Sequence, residues 1–212
     1  MPAAAPANRT LTLDAIVAAA GELVAEEGFE ALSMRRLARR CGVGAMTLYG
    51  YFRTKEELLA ELANRFLADV AVPADELHWD DRLAHVFRSV RQVFLAHPAL
   101  IPIVAAQRID GVAAYRGAEV VFRALRDAGL DDTAVIGAFD ALISFTIGST
   151  LRETGLRERG AGTLPGIARL APEEFGNVID LAGRLATRDP ERDFELGLKL
   201  LIAGIEHRSE PA

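Results

Sequence analysis

The chain has 212 residues, half of them hydrophobic and a quarter charged, with a formal net charge of -6 and a single cysteine. That is enough apolar chain to close one or two compact cores, which excludes an intrinsically disordered protein, and Cys41 alone can form neither an internal disulfide nor a thiolate zinc site, which excludes a disulfide scaffold. Met1 to Asn8 lacks the basic start and apolar centre of a secretory signal, and the uncharged run between Arg91 and Arg108 is broken by Pro98 and Pro102 and falls short of the roughly 18 apolar residues of a membrane span, so a soluble, cytoplasmic protein with no membrane partner is expected.

The dominant period is helical from end to end. Between Leu13 and Glu27 the apolar residues Ile16, Ala20, Leu23 and Val24 return on one face, with Asp14, Glu22, Glu26 and Glu27 facing away, and Gly28 stops the helix. Ser33 is placed to cap a short helix over 34–40, Gly42 ends it, and a second short element spans 45–52. Thr54 and Glu57 have the spacing of a capping box and open a helix expected to run to Val70. Val72-Pro73-Ala74-Asp75 reads as a boundary. The expected organisation is therefore a disordered arm at 1–8, one domain at 9–70 and a second at 71–212.

Beyond the boundary, residues 80–96 are amphipathic through Leu83, Val86, Phe87, Val90 and Phe94, and His97-Pro98 ends that helix. Further helices are expected at 99–108, at 113–128 (stopped by Gly129) and at 131–154. Four glycines and Pro165 make 155–171 a long loop. Pro172-Glu173-Glu174 starts another helix, with acids at the positive end of its dipole, and a last one runs over 190–206. No segment alternates with period two, so the fold class is all-α.

Residues 33–52 contain a helix too short to stand alone, a glycine turn and a second short helix, with Leu37, Ala38, Val43 and Leu48 as the positions to be buried. That is the spacing of a helix-turn-helix, in which small residues at the crossing let two helices meet steeply. Between Glu30 and Glu56 there is no acid, yet Arg35, Arg36, Arg39, Arg40, Arg53 and Lys55 are all there. A basic run is also what a solvated helix face looks like, and an aromatic-rich short helix is also ordinary core. Charge distribution favours nucleic acid: residues 1–72 hold eight basic and nine acidic side chains, so most of the net acidity belongs to the remainder of the chain.

The segment from Thr10 to about Val70 resembles the DNA-binding domain of the tetracycline-repressor (TetR) family of bacterial transcription regulators. The resemblance rests on Gly28-Phe29, Ser33-Met34-Arg35-Arg36-Leu37-Ala38, Gly42-Val43, Thr47-Leu48-Tyr49, Tyr51-Phe52 and Lys55-Glu56-Glu57-Leu58-Leu59. The end of the chain, Phe194-Glu195-Leu196-Gly197-Leu198 and Leu201-Ile202-Ala203-Gly204-Ile205-Glu206, resembles the regulatory domain of the tetracycline-repressor branch. The middle matches in helix pattern alone.

The resemblance implies an N-terminal three-helix helix-turn-helix domain and a C-terminal helical domain for ligand binding and dimerisation. By the same resemblance Ser33 holds a phosphate, Met34 and Arg35 touch the DNA backbone or a base edge, and Ala45, Met46, Thr47 and Tyr49 enter the major groove. Tyr51 and Lys55 contact the backbone. Ala45 stands where an amide or hydroxyl residue often reads a base, and Gly50 where a larger residue often precedes the tyrosine, which shifts the expected readout towards shape and Arg35. One tyrosine of the pair Tyr49 and Tyr51 can instead pack inward, exposing only its hydroxyl.

In the second domain the resemblance implies an effector pocket between the helices from 80 to 150, with Val86, Val90, Phe94, Val104, Gln107, Phe122 and Phe139 as candidate walls and a hydrophobic or aromatic ligand; taken singly, each reads more readily as plain core. Val104 and Arg152 stand where tetracycline repressors hold a magnesium-bound drug with His and Glu, which argues against tetracycline. Small residues at Ala134, Ala138, Ala141, Ser144, Gly148, Gly197 and Gly204 suit either close pairing with a second copy or packing within the chain. The expected partners are a palindromic double-stranded DNA operator, a small-molecule effector and a second copy of the chain. His78, Asp81 and His85 share a helical face, but no Glu-x-x-His pair accompanies them, so no metal site and no cofactor are expected. The competing function is a helical carrier or enzyme that does not bind DNA, against which stands the lack of a nucleophile-base pair or cofactor motif.

Overall fold

The computed structural model describes residues 11–74, 76–106, 110–159 and 166–209, and the expected arm at 1–8 lies outside them. The described residues form ten α-helices and no strand. They group into two compact units: residues up to Asp69 together with Ala99–Tyr115, and Val70–Pro98 together with Arg116–Ala212. The expected single switch near residue 70 did not anticipate that 99–115 would join the first unit.

In the first unit α1 is Leu13–Glu27, α2 Met34–Arg40, α3 Ala45–Tyr49, α4 Lys55–Leu67 and α6 Ile101–Ala106. α1 buries Ile16, Val17, Ala20, Leu23 and Val24, and Thr12 Oγ1 accepts from the Ala15 amide at its start. Gly28 and Gly42 adopt φ of 84° and 69°, the left-handed conformation that lets the chain leave α1 and α2 without a Cβ penalty. Seven and five residues are too few for α2 and α3 to be stable in water alone. They persist because Leu37, Ala38, Leu48 and Phe52 are buried, each large side chain worth about 1.5 to 3 kcal/mol. α4 packs on α1 through Leu58, Leu59, Leu62 and Ala63, and Gly21 of α1 leaves room for Leu62 and Phe66. The expected continuation to Val70 is corrected: Asp69 bonds back to the Phe66 carbonyl, so the helix tightens into a turn after Leu67.

In the second unit α5 is Trp79–Ala96, α7 Val112–Asp127 (whose first residues lie in the other unit), α8 Asp132–Arg159, α9 Pro172–Ala186 and α10 Pro190–Ser209. α5 packs against α8 and α10 and buries Leu83, Val86, Phe87, Val90 and Phe94. Arg91 sits in the same layer, its guanidinium 2.6 Å from Glu153 and 2.5 Å from Glu191 and stacked on Phe194, which in turn stacks on Phe145. Two carboxylates and a ring face compensate the cost of burying that cation. Thr146 and Thr150 are buried in α8 because their hydroxyls donate to the carbonyls one turn back, Leu142 and Thr146.

Three element expectations are corrected here. α8 runs on to Arg159, through Gly155, because Leu156-Arg157-Glu158-Arg159 are good helix formers that outweigh one glycine. The expected loop at 155–171 is therefore helical at its start and a 3-10 turn at Ile167–Arg169, with 160–165 outside the described residues. The expected helix at 99–108 is a 3-10 turn at Pro98–Leu100 followed by α6, in whose first turn Pro102 removes no needed donor. α9 has no buried residue and leaves Val178, Leu181 and Leu185 exposed.

Candidate nucleic-acid interface

The side-chain oxygen of Ser33 accepts from the Arg36 amide at 3.3 Å, capping α2 and leaving the hydroxyl proton free to donate outward. The turn after α2 is closed by Gly42 and by the Val43 amide bonded to the Ala38 carbonyl, and α3 begins at once. Leu48, fully buried, fixes which face of α3 points inward; Met46, Thr47 and Tyr49 consequently point out, Met46 with 82% exposure. Ala45 is half-buried at the first position of α3.

The six cations of the acid-free run divide into two groups. Arg36 and Arg40, one turn apart on α2, face α1: Arg36 pairs with Glu27, and Arg40 bonds Glu26 at 2.7 Å and Glu22 at 3.1 Å. The hydrogen bond from Arg40 pulls the Glu26 carboxyl below its usual range, and Glu26 and then Glu22 push the Arg40 guanidinium up. These charges are already compensated. Arg35, Arg39 and Arg53 expose guanidinium groups without an ion-pair partner among the described residues, and Arg39 and Arg53 had not been singled out as site residues in the sequence. Lys55 opens α4 with its ammonium 5.3 Å from the Phe29 ring. A cation in the first turn opposes the helix dipole, so its place is not explained by the stability of α4. Burial pushes the Cys41 thiol up, away from the reactive thiolate.

Two sequence expectations change. Met34 is buried, with 7% exposure, so it anchors α2 in the core rather than touching DNA. Its place in the first turn of a short helix concealed that it faces inward. Tyr51 keeps an exposed ring, but its hydroxyl donates to the Leu11 carbonyl at 2.6 Å. A phenol has one proton, and a phosphate cannot donate, so Tyr51 pins the segment before α1 instead of holding a phosphate.

The arrangement is a short exposed helix, set on a buried leucine, flanked by a capped helix start and uncompensated cations, which is what a major groove with its two phosphate walls accepts. The family model described as bacterial regulatory proteins, tetR family, matches residues 16–62, and one described as tetracyclin repressor-like, C-terminal domain, matches residues 72–209. The chain belongs to the TetR family. As a TetR-family protein it is a DNA-binding transcriptional regulator built from a helix-turn-helix domain and a helical C-terminal domain. Among its relatives, the tetracycline repressor class A of Escherichia coli is 31% identical over 91% of this chain and 89% of its own. The structure of ActR of Streptomyces coelicolor in complex with actinorhodin superposes with a TM-score of 0.86 at 32% identity, covering 95% and 99% of the two chains. BioQ with its natural double-stranded DNA operator gives 0.72 at 26%, covering 93% and 99%.

In the C-terminal unit of this TetR-family chain, Val86, Val90 and Phe94 follow one another at one-turn spacing on α5 and are buried in the packing against α8 and α10. Phe122 of α7 and Phe139 of α8 are half-buried and meet edge to face, centroids 5.1 Å apart. Val104 is half-buried on α6 in the first unit, and Gln107 lies outside the described residues. The surface of this unit carries several recesses. One of about 400 Å³ lies between α5 and α10, lined by Asp80, Asp81, Arg88, Glu195 and Lys199 among others, and one of about 70 Å³ lies beside Phe145, Arg152 and Phe194. Neither includes the expected wall residues. Among the described residues no three His, Cys, Asp or Glu side chains converge as metal ligands.

Proposed function

We propose that the protein is a homodimeric repressor that leaves its operator when a small hydrophobic effector binds the C-terminal unit. The observation that carries the DNA half is α3: a five-residue helix that presents Met46, Thr47 and Tyr49 to water, with exposed Ser33 and Arg35 at the start of α2, which packs against it, and Lys55 at the start of α4. An apolar side chain left outside on so short an element fits contact with a thymine methyl, with Ala45 behind it, Thr47 and Tyr49 on base edges or phosphate, and Arg35 and Lys55 on the backbone.

The second copy is supported by α8 and α10. Ile136, Leu151, Leu196 and Leu200 are exposed on these helices, and Gly148 and Gly204 have no atom within 4 Å of where a Cβ would stand, so a partner helix could approach closely. Gly197 is different: a Cβ there would run into the Phe145 ring, so it serves packing of α10 on α8 within the chain. The effector reading rests on the apolar character of Val86, Val90 and Phe94 on α5 and of Phe122 and Phe139, all within the C-terminal unit. Val104 and Arg152, in place of a metal-holding His and Glu, favour an aromatic compound bound without a metal, for which actinorhodin is a first candidate because ActR holds it.

The test is a gel-shift titration of the protein with the duplex flanking its own gene at several salt concentrations, with and without actinorhodin. Sequence-specific, salt-dependent binding is expected. Binding that ignores sequence and salt alike sinks the reading.

A further inference from the structure

Among the described residues, no side chain next to the start of α7 caps it. Gly111 precedes its first residue, and the Gly111 carbonyl accepts from the Tyr115 amide, so Gly111 occupies the capping position but has no side chain to satisfy the first free amides. The missing oxygen comes from another helix: Asn64 of α4 accepts from the Ala113 amide through its Oδ1 at 2.9 Å. Gly111 is also what admits that side chain. A Cβ at 111 would lie within 3.0 Å of Oδ1, Cγ and Cβ of Asn64. The backbone at Gly111 is not in the left-handed region, which among the described glycines is confined to Gly28, Gly42 and Gly129. Only the approach of Asn64 requires glycine there.

We propose that Asn64 is a positioning residue for operator binding: from α4 it supplies the capping oxygen of α7, and this bond fixes the pose of α4, and through α1 that of α2 and α3. The path is physical at each step. α4 is packed on α1 through Leu58, Leu59 and Leu62, and α1 holds α2 by the pairs from Glu22, Glu26 and Glu27 to Arg40 and Arg36. Asn64 and Gly111 are on neither α2 nor α3. The proposal rests on the regulator reading for its DNA readout, while the joint itself can be tested without DNA.

The experiment compares the full-length protein with Asn64→Ala, Asn64→Asp, Gly111→Ala and the double variant. Affinity for the duplex flanking its own gene is measured by fluorescence anisotropy, and amide hydrogen exchange is followed in residues 110–118. Asn64→Ala loses about fivefold in affinity, the factor that a lost cap is worth, and its α7 start exchanges faster. Asn64→Asp keeps the acceptor oxygen next to the positive end of the helix, so it retains affinity and protection and serves as the folding control. Gly111→Ala behaves like Asn64→Ala, and the double variant is no worse than either single one, because both remove the same bond. Unchanged exchange in Asn64→Ala overturns the joint, whether or not the duplex binds. Unchanged affinity in Asn64→Ala, or fully additive losses in the double variant, overturns its role in operator binding. If the unmodified protein does not bind the duplex, the regulator reading fails and the exchange data still decide the joint.

Discussion

At the scale of single residues, the division of the arginines by α1 has a measurable consequence. Each phosphate contact made by a cation adds about one unit to the slope of log affinity against log salt. Arg35→Ala and Lys55→Ala are each expected to weaken operator binding and reduce that slope by about one unit. Arg40→Ala is expected to leave the slope within a few tenths of a unit, because Arg40 is bonded to Glu26 and Glu22 on α1. Titrations at four salt concentrations separate these outcomes, and an Arg40→Ala slope that falls like that of Arg35→Ala would falsify the division. The acid-free run from Glu30 to Glu56 located this surface in the sequence, but it could not sort the cations. The acids that compensate Arg36 and Arg40 stand 9 to 18 residues upstream, on a helix whose facing direction becomes visible only once it is packed. Tyr51 escaped for a similar reason, its partner being a backbone carbonyl 40 residues away.

Elements were legible where a local chemical signal marks an end. Ser33, Thr54, Gly28, Gly42 and Gly129 cap or stop helices through bonds to residues within one turn, so the sequence and the structure agree there to within a residue or two. Ends where such a signal was absent or misleading were misjudged: α4 stops at Leu67 with no glycine or proline beside it, and α8 continues to Arg159 through Gly155, a glycine that does not stop it. The close crossing of α8 and α10 belongs to the same class, because nothing near Gly197 in the sequence reveals the Phe145 ring that presses on it. Gly197→Ala is expected to destabilise the protein by about 1 to 3 kcal/mol, the cost of overpacking a site where the obstruction is a stacked aromatic ring. Gly204→Ala, with open space around it in the single chain, is expected to raise rather than lower intrinsic helix stability, by up to about 1 kcal/mol. Chemical denaturation of both variants under conditions where the protein is monomeric gives the contrast; equal effects at the two glycines would contradict the packing described.

For the whole molecule the unresolved demand is the apolar surface of α8 and α10. The stretch Asp132–Gly155 has a mean hydropathy of 1.6, and 22% of that window is buried, so by length and composition it could even cross a membrane. One face of it, however, is committed to α5 and α10 and carries the buried Thr146, Thr150 and Glu153, the last ion-paired to Arg91. A helix with one face in a protein core that leaves Ile136 and Leu151 exposed, as α10 leaves Leu196 and Leu200, fits a second protein surface better than lipid on all sides. If that surface is the same patch of another copy, the pair is two-fold symmetric, which matches the symmetry of a palindromic duplex whose half-sites lie about 34 Å apart. Leu200→Glu places a charge in this apolar surface without touching the core, since Leu200 is 64% exposed in the single chain. Sedimentation is expected to show a dimer for the unmodified protein and a folded monomer for the variant. Operator affinity should then fall about a hundredfold or more, because the second half-site is no longer bound at the high effective concentration that linkage provides. A variant that remains dimeric, or a monomer that keeps full affinity, would place the pairing surface elsewhere.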